Sequence, residues 1–223
     1  MRSDPRYRRA DGALIYLLQL NTPRLVSQVQ GLGTKWSESM ERKILATVER
    51  LFDPRSGGFK RYHGDSYQRV GFFRAETVRK LNELYGGPSG DASAQFNARD
   101  SIVPKGPEAA WTHFTWQLSA WAGRRYRETG ILRYYELQQR YMAEGMRTIT
   151  RRGMRSLEIG ADGAIHSISI PGYRFPECYL TEIGANRKAL LFPSPHTPLN
   201  WAAAEALDAF GQFRINSGIQ GVL

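Results

Sequence analysis

The segment from 108 to 127 constrains the fold of this sequence most, because it has helical periodicity and carries large apolar side chains on more than one face. Trp111, Phe114 and Leu118 recur at helical spacing and form one face. Trp116 and Trp121 fall on other faces of the same helix. A helix that is apolar nearly all round is usually buried on several sides. We therefore expect the rest of the chain to pack around this segment.

Two kinds of helix alternate along the chain. The segments 11–20 and 198–211 are mostly apolar, whereas 38–52 and 131–150 carry narrower apolar stripes. A weaker helical pattern covers 74–85. The alternation predicts an inner and an outer layer of helices.

Two local signals add detail to this prediction. Thr197 is expected to cap the last helix, with Pro198 at its first position, where a missing N–H costs nothing. The turn GADG lies between two β-prone runs and predicts a small β-hairpin within 156–170. The last helix is itself expected to be buried on several sides.

Charge and composition narrow the functional classes. The 223 residues carry a formal net charge of +10, but the basic residues are scattered in small groups such as RYRR and TRRGMR. Solvated surface charge is therefore the preferred interpretation, and nucleic-acid binding is the weakest of three functional hypotheses. No apolar run is long enough to span a membrane, and the lone Cys178 requires no oxidising compartment. Together these observations predict a cytoplasmic protein.

Motifs for cofactors and metals are not found. GLG at 31–33 is followed by TKW, which lacks the spacing of a nucleotide site. The histidines lie too far apart for a paired metal motif. No Gly-x-Ser-x-Gly segment marks a nucleophilic serine. We expect neither a cofactor nor a metal.

Acidic side chains among aromatic residues suggest chemistry more strongly. They occur in three segments, RYHGDSY, PEAAWTHF and FPECYL. Glu108 has a local explanation, because an acid in the first helical turn complements the helix dipole, and Asp65 has one as a turn residue. Glu177 has no such local role, and its apolar neighbours are expected to raise its pKa. Glu177 is therefore the leading candidate.

Five segments in a fixed order carry a family resemblance. DGALIYLL, GGFKRYHGDSY, EAAWTHFTWQLSAWAGRRY, FPECY and PSPHTPLNWAAAEAL together resemble the glucoamylase-type family, glycoside hydrolase family 15, and the related domains of phosphorylase kinase α and β subunits. The resemblance runs from about residue 10 to 212. It implies that 1–223 is one partial domain, the C-terminal part of an (α/α)6 toroid of six-hairpin type, all-α apart from the small β-hairpin.

The same resemblance implies roles for individual residues. Glu177 falls where the family carries its general base, which deprotonates the water that attacks the anomeric carbon with inversion. The remaining residues that it places at the sugar pocket are all substrate-binding: Arg61, Tyr62, Asp65, Trp111, His196 and Trp201. His196 and Trp201 belong to the late motif PHTPLNW, at the rim of that pocket.

The second carboxyl group of such a site has no counterpart in this sequence. The family's general acid lies in an earlier Trp-Glu segment, and an inverting glycosidase needs two carboxyl groups roughly 6.5–9.5 Å apart. We therefore expect the acid to come from outside this chain. A partial toroid would also expose apolar helix faces. The chain is then expected to be the C-terminal part of a longer protein, a separately encoded half or a decayed relic, and in the first two cases its partner is a missing N-terminal half-barrel.

Two functional hypotheses follow from the resemblance. The leading one is the later part of an inverting, exo-acting glycoside hydrolase that acts on α-linked glucosides or oligosaccharides, with Glu177 as the base and little activity by itself. The alternative is a non-catalytic carbohydrate-binding or regulatory domain, which keeps the pocket but lacks the acid.

Overall fold

The computed structural model describes residues 10–65, 74–85, 101–103, 107–160, 162, 164–183 and 189–218. The helices of these ranges are α1 (Leu14–Gln19), α2 (Thr22–Gln30), α3 (Thr34–Val48), α4 (Ala75–Tyr85), α5 (His113–Thr129), α6 (Leu132–Arg147) and α7 (Asn200–Asn216), with a short 3-10 turn at Glu49–Leu51. The strands are β1 (Phe52–Asp53), β2 (Gly58–Phe59), β3 (Ala110–Trp111), β4 (Arg155–Ile159), β5 (Ile165–Ser169), β6 (Cys178–Ile183) and β7 (Ala189–Pro193).

The helix α5 lies at the centre of the fold, as its sequence predicts. Every residue from His113 to Gly123 is buried. The helix packs against α1, α6 and α7, and against β2. It ends at Thr129 and is capped by Gly130, which has a positive φ of 67° and donates its N–H to the carbonyl oxygen of Tyr126. Glycine suits this position because it adopts a left-handed conformation without steric cost.

The prediction of an all-α toroid is wrong. Five strands form an antiparallel sheet in the order β1-β2-β3-β6-β7, and β4 and β5 form a separate hairpin. The fold is therefore a mixed α/β fold. The strands β1, β2 and β3 have only two residues each, which is too short for an alternating apolar pattern to be visible in the sequence.

Most of the predicted helices and the hairpin are confirmed, with shifted ends. The segment 108–127 becomes helical only at His113, because Ala110 and Trp111 pair with neighbouring strands. The hairpin of β4 and β5 extends from Arg155 to Ser169, one residue earlier at each end than the predicted range 156–170. The helix α2 had no counterpart among the predictions.

The last helix differs from its prediction in two ways. α7 begins at Asn200 rather than at Pro198, after a cis peptide bond between Thr197 and Pro198. Only a stripe of small residues on it is buried, namely Ala202, Ala206 and Ala209. Leu207 on the same helix is 69% exposed. α7 therefore packs on α5 along one face and is not buried on several sides.

Two groups of buried apolar side chains form the core. The larger group joins α1, α3 and α5 to the sheet and includes Leu18, Val48 and Phe59. The smaller group lies between α5, α6 and α7, around Trp116 and Ala206. None of the described helices is both long enough and apolar enough to cross a membrane.

Candidate functional site

The five-stranded sheet assembles the candidate site. β3 pairs with β2 on one side and β6 on the other, so Trp111 lies opposite both Phe59 and Cys178. Thr112 then donates its N–H to the carbonyl oxygen of Glu177 at 3.1 Å. The sheet thus places the loop after β2, the end of β3 and the start of β6 next to one another.

Glu177 lies half-buried immediately before β6. Its Oε2 accepts a hydrogen bond from Ser194 Oγ at 3.1 Å, and Ser194 is held beside β6 because its N–H donates to the carbonyl oxygen of Cys178. Burial raises the pKa of Glu177, although nearby His196, the Ser194 hydroxyl and Arg61 oppose the shift. A carboxylate whose pKa is raised is a stronger base once it has ionised.

Arg61 and Asp65 form a paired unit beside Glu177. Arg61 donates from Nε and from one terminal nitrogen to the two carboxylate oxygens of Asp65, at 2.6 and 2.9 Å. Asp65 is completely buried, whereas the Arg61 side chain is 32% exposed. The guanidinium carbon lies 4.8 Å from the centroid of the Trp111 ring and 5.6 Å from that of Tyr62. Two-point pairing and the aromatic rings hold the guanidinium in one orientation.

Glu108 does not have the role that its sequence position indicated. It precedes β3 and therefore lies outside the first turn of α5. Its carboxylate pairs with Lys60 Nζ at 2.9 Å and accepts the N–H of Gly64 at 3.0 Å. Burial by itself would raise the pKa of Glu108, but these two donors outweigh it and the pKa is lowered. Glu108 thus fastens the loop after β2 to the start of β3.

A second group of side chains adjoins the first through His113. The His113 ring lies 5.9 Å from the Trp111 ring and stacks on the Trp201 ring at 4.8 Å. Tyr16 also stacks on Trp201, at 6.1 Å. His113 is 3% exposed, and burial lowers its pKa to about 4. His113 is therefore a neutral ring near pH 7.

Glu205 is the carboxylate of this second group. Its Oε1 accepts hydrogen bonds from Trp201 Nε1 and from Gln117 Nε2, both at 3.0 Å. Its Oε2 accepts one from Gln19 Nε2 at 2.9 Å. Three elements, α1, α5 and α7, therefore meet at this one side chain.

The structure brings the predicted site residues into one region. Arg61 and His196 lie near Glu177, and Tyr62, Asp65 and Trp111 contact Arg61. Trp201 joins Trp111 through His113. The sequence reasoning missed His113 and Glu205. The signal for Glu205 was its spacing four residues after Trp201, which places both side chains on one helix face. No sequence pattern marked His113 as a site residue, apart from its position two residues after Trp111.

Metal ligation and thiol chemistry find no support in the described residues. Within those ranges, no group of three or more His, Cys, Asp or Glu side chains could hold a metal ion. Cys178 is fully buried, and its burial raises the pKa of the thiol well above the usual value. A buried thiol of this kind is an apolar core residue rather than a nucleophile.

Comparisons with known proteins give no relative. A scan against protein-family models finds no match, and searches of curated proteins and of solved structures find none either. The side chains of the site are therefore the basis for any statement about function.

Proposed function

We propose that the region around Glu177 binds an α-linked glucoside or oligosaccharide, with Glu177 as the general base of an inverting hydrolysis. The single observation that carries this proposal is the environment of Glu177. The Glu177 side chain is half-buried, its pKa is raised, and it lies near the Arg61 guanidinium, which the Trp111 ring and Asp65 hold in one orientation. Carboxylates with aromatic rings and oriented donors are the groups that sugar hydrolysis uses.

The proposed reaction assigns one step to Glu177. Glu177 takes a proton from water while the water oxygen bonds to the anomeric carbon and the glycosidic C–O bond breaks. Arg61 offers hydrogen-bond donors to sugar hydroxyls, and Asp65 keeps the Arg61 guanidinium in place. Trp111 is only 8% exposed, and its ring supports the Arg61 guanidinium.

The leaving oxygen needs a proton from a second carboxyl group, and no described residue beside Glu177 suits this role. Both oxygens of Asp65 are engaged by Arg61, and the pKa of Glu108 is lowered. Glu205 already accepts three hydrogen bonds, from Gln19, Gln117 and Trp201. We therefore propose that another segment or a partner chain supplies the acid.

The same observation favours a second candidate function, carbohydrate binding without turnover. A site that keeps Glu177, Arg61 and Trp111 but lacks an acid could bind a sugar and not cleave it. The choice between the two candidates depends on catalysis, because both require binding. A cytoplasmic location and the absence of a nucleic-acid partner stay predictions from the sequence.

The experiment measures maltooligosaccharide binding by calorimetry and, in parallel, release of glucose from 2,4-dinitrophenyl α-glucoside, whose leaving group needs no acid, for the wild type and for Glu177→Gln. For a hydrolase, Glu177→Gln is expected to lower kcat by about a hundredfold or more while sugar binding is retained. The control variant is Glu182→Gln, which makes the same chemical change farther along β6 and should leave both measurements unchanged.

Each outcome distinguishes the candidates. Saturable binding by the wild type without any release of glucose favours the binding function. Turnover that Glu177→Gln leaves unchanged would show that the base assignment is wrong. If no maltooligosaccharide binds to the wild type, both carbohydrate functions are wrong.

A further inference from the structure

Three exposed arginines lie on two loops that fold against each other. The first loop covers 150–154, between α6 and β4, and the second covers 170–174, after β5. The sequence group TRRGMR supplies Arg151 and Arg152 on the first loop. The fold brings Arg174 to them from the second loop, because Arg174 exchanges backbone hydrogen bonds with Thr150. Arg151, Arg152 and Arg174 are called the arginine cluster below.

Thr150 joins the two loops through its backbone and its hydroxyl group. Its N–H donates to the carbonyl oxygen of Arg174 at 2.9 Å, and its carbonyl oxygen accepts the N–H of Tyr173 at 2.7 Å. Its Oγ1 accepts the N–H of Arg174 at 2.9 Å. A Cβ atom at Gly172 would lie only 2.9 Å from the backbone nitrogen of Arg152. The backbones that carry the arginine cluster are therefore in contact.

Tyr173 has an unusual conformation in the second loop. Its φ is 60°, which is a left-handed conformation that few residues other than glycine adopt. Such a conformation persists only where the surrounding structure holds it, and it is frequent at ligand sites. Tyr173 is 67% exposed, so the hydrogen bond to Thr150 holds it rather than packing in the core. Its ring lies 5.8 Å from the guanidinium carbon of Arg152.

The positive charge of the arginine cluster is not balanced by acidic side chains. Arg151, Arg152 and Arg174 are all exposed, and none of them pairs with a carboxylate in the part of the chain that the structure describes. Arg147 at the end of α6, by contrast, pairs with Glu144. Like charges on contacting loops repel one another, and an anion that binds among them removes this cost.

The number and type of these charges favour a phosphate monoester over other anions. A guanidinium offers a planar pair of donors that fits a carboxylate or a phosphate. A carboxylate carries one charge and occupies one such pair, whereas a phosphate monoester has about two charges and three acceptor oxygens at pH 7. A nucleic-acid backbone needs a longer basic surface, but the next arginine, Arg155, already donates to Ser167.

We propose that the arginine cluster binds the phosphate group of a small, soluble phosphate monoester. Arg152 and Arg174 donate to the phosphate oxygens from the two loops, and Arg151 adds a third positive charge. This site does not depend on the proposed carbohydrate function.

The experiment titrates the full chain with methyl phosphate at constant ionic strength and follows the backbone amide signals of the two loops by ¹⁵N NMR. Saturable shifts are expected at these signals, with a dissociation constant of about a millimolar. Acetate, which has one charge and two oxygens, is expected to bind at least about threefold more weakly under the same conditions.

Variants then test the named arginines. Arg152→Gln and Arg174→Gln should each weaken methyl phosphate binding by about threefold, and the double variant by about tenfold. Both side chains are exposed. The loops are joined through backbone atoms and the Thr150 hydroxyl, so these variants are expected to fold.

Arg127→Gln is the matched control, because it removes one exposed arginine from the last turn of α5. The arginine cluster lies toward the other end of this helix, since Thr112, just before α5, donates its N–H to the carbonyl oxygen of Glu177, three residues after Arg174. Arg127 follows Thr112 by fifteen residues, which is about 22 Å along a helix. The control should leave the affinity for methyl phosphate unchanged.

Saturable shifts in the two loops that Arg152→Gln and Arg174→Gln weaken, and Arg127→Gln does not, would support the proposal. Three results would overturn it, namely no saturable shift, equal binding of acetate and methyl phosphate, and equal weakening by all three single variants. Binding to vesicles that contain phosphatidic acid but not to methyl phosphate would also overturn it. So would an oligonucleotide that binds these loops far more tightly than methyl phosphate, with an affinity that falls steeply with salt.

Discussion

The His113 ring contacts three aromatic rings, those of Trp111, Phe114 and Trp201, with centroid distances of 5.9, 4.2 and 4.8 Å. Its Nδ1 has no hydrogen-bond partner among the described residues. Burial lowers the pKa of His113 from 6.5 to about 4, because a charged imidazolium would lose its hydration there. The folded protein therefore keeps His113 neutral over a pH range in which the unfolded chain protonates it.

The sign and size of the effect follow from this difference in pKa. As the pH falls below 6.5, the unfolded state binds a proton that the folded state does not, so the free energy of unfolding decreases. The decrease continues until the pH reaches about 4. One pKa unit corresponds to about 1.36 kcal/mol, so His113 removes about 3 kcal/mol of stability over this interval.

Urea denaturation at a series of pH values measures this contribution. We expect His113→Phe, which removes the titrating group, to lose less stability than the wild type between neutral pH and pH about 4. His63→Gln removes an exposed histidine and should follow the wild type. If the stability of His113→Phe has the same pH dependence as that of the wild type, His113 is not buried as the structure describes.

Two further predictions concern packing and the candidate base. Gly145→Ala places a Cβ 2.8 Å from the Trp116 ring and should destabilise by about 1–3 kcal/mol, whereas Gly211→Ala meets no atom within 4 Å and should stabilise by about 0.5–1 kcal/mol. Urea denaturation of both variants tests this, and the prediction is contradicted if the two substitutions change the free energy of unfolding in the same direction. Burial raises the pKa of Glu177 in the folded protein above its value in the unfolded chain. At low pH both states carry the protonated acid, and as the pH rises through the folded pKa the ionised group lowers the free energy of unfolding. Glu177→Gln should therefore be more stable than the wild type at neutral pH, with a gain that shrinks in acid; a gain independent of pH would refute this.

Much of the helical structure could be predicted from the sequence. The apolar residues of α3, α5 and α6 repeat over 15 to 17 residues, long enough for a period of 3.6 to be recognised. The hairpin of β4 and β5 has a turn signal between β-prone runs. These elements are encoded locally, and their existence was predicted correctly while their ends were not.

The layer arrangement could not be predicted in the same way. α7 looked like a core helix because it is rich in alanine and large apolar residues, yet Trp201 is 50% and Leu207 is 69% exposed. Periodicity describes which residues share a face of a helix, but not whether another element covers that face. The toroid that the family resemblance implied was therefore the wrong arrangement of layers.

The candidate site shows the same division. The residue types at Arg61, Asp65, Trp111 and Glu177 were recognisable as a set because acids and aromatic residues recur together in short segments. Their mutual contacts depend on strand pairs such as Phe59 with Trp111 and Trp111 with Cys178. Pairs between such distant two-residue strands leave no periodic trace in the sequence.

Local conformations and the set of available side chains follow from short stretches of the chain, because helix periodicity, turn residues and side-chain types are properties of neighbouring positions. Which groups are buried and which are paired depends instead on how the elements pack against one another. The neutral ring of His113, the raised pKa of Glu177 and the buried ion pair of Glu41 with Arg125 all depend on elements that are remote in the chain. Desolvation and hydrogen bonding act through space, so these properties arise only when the chain has folded.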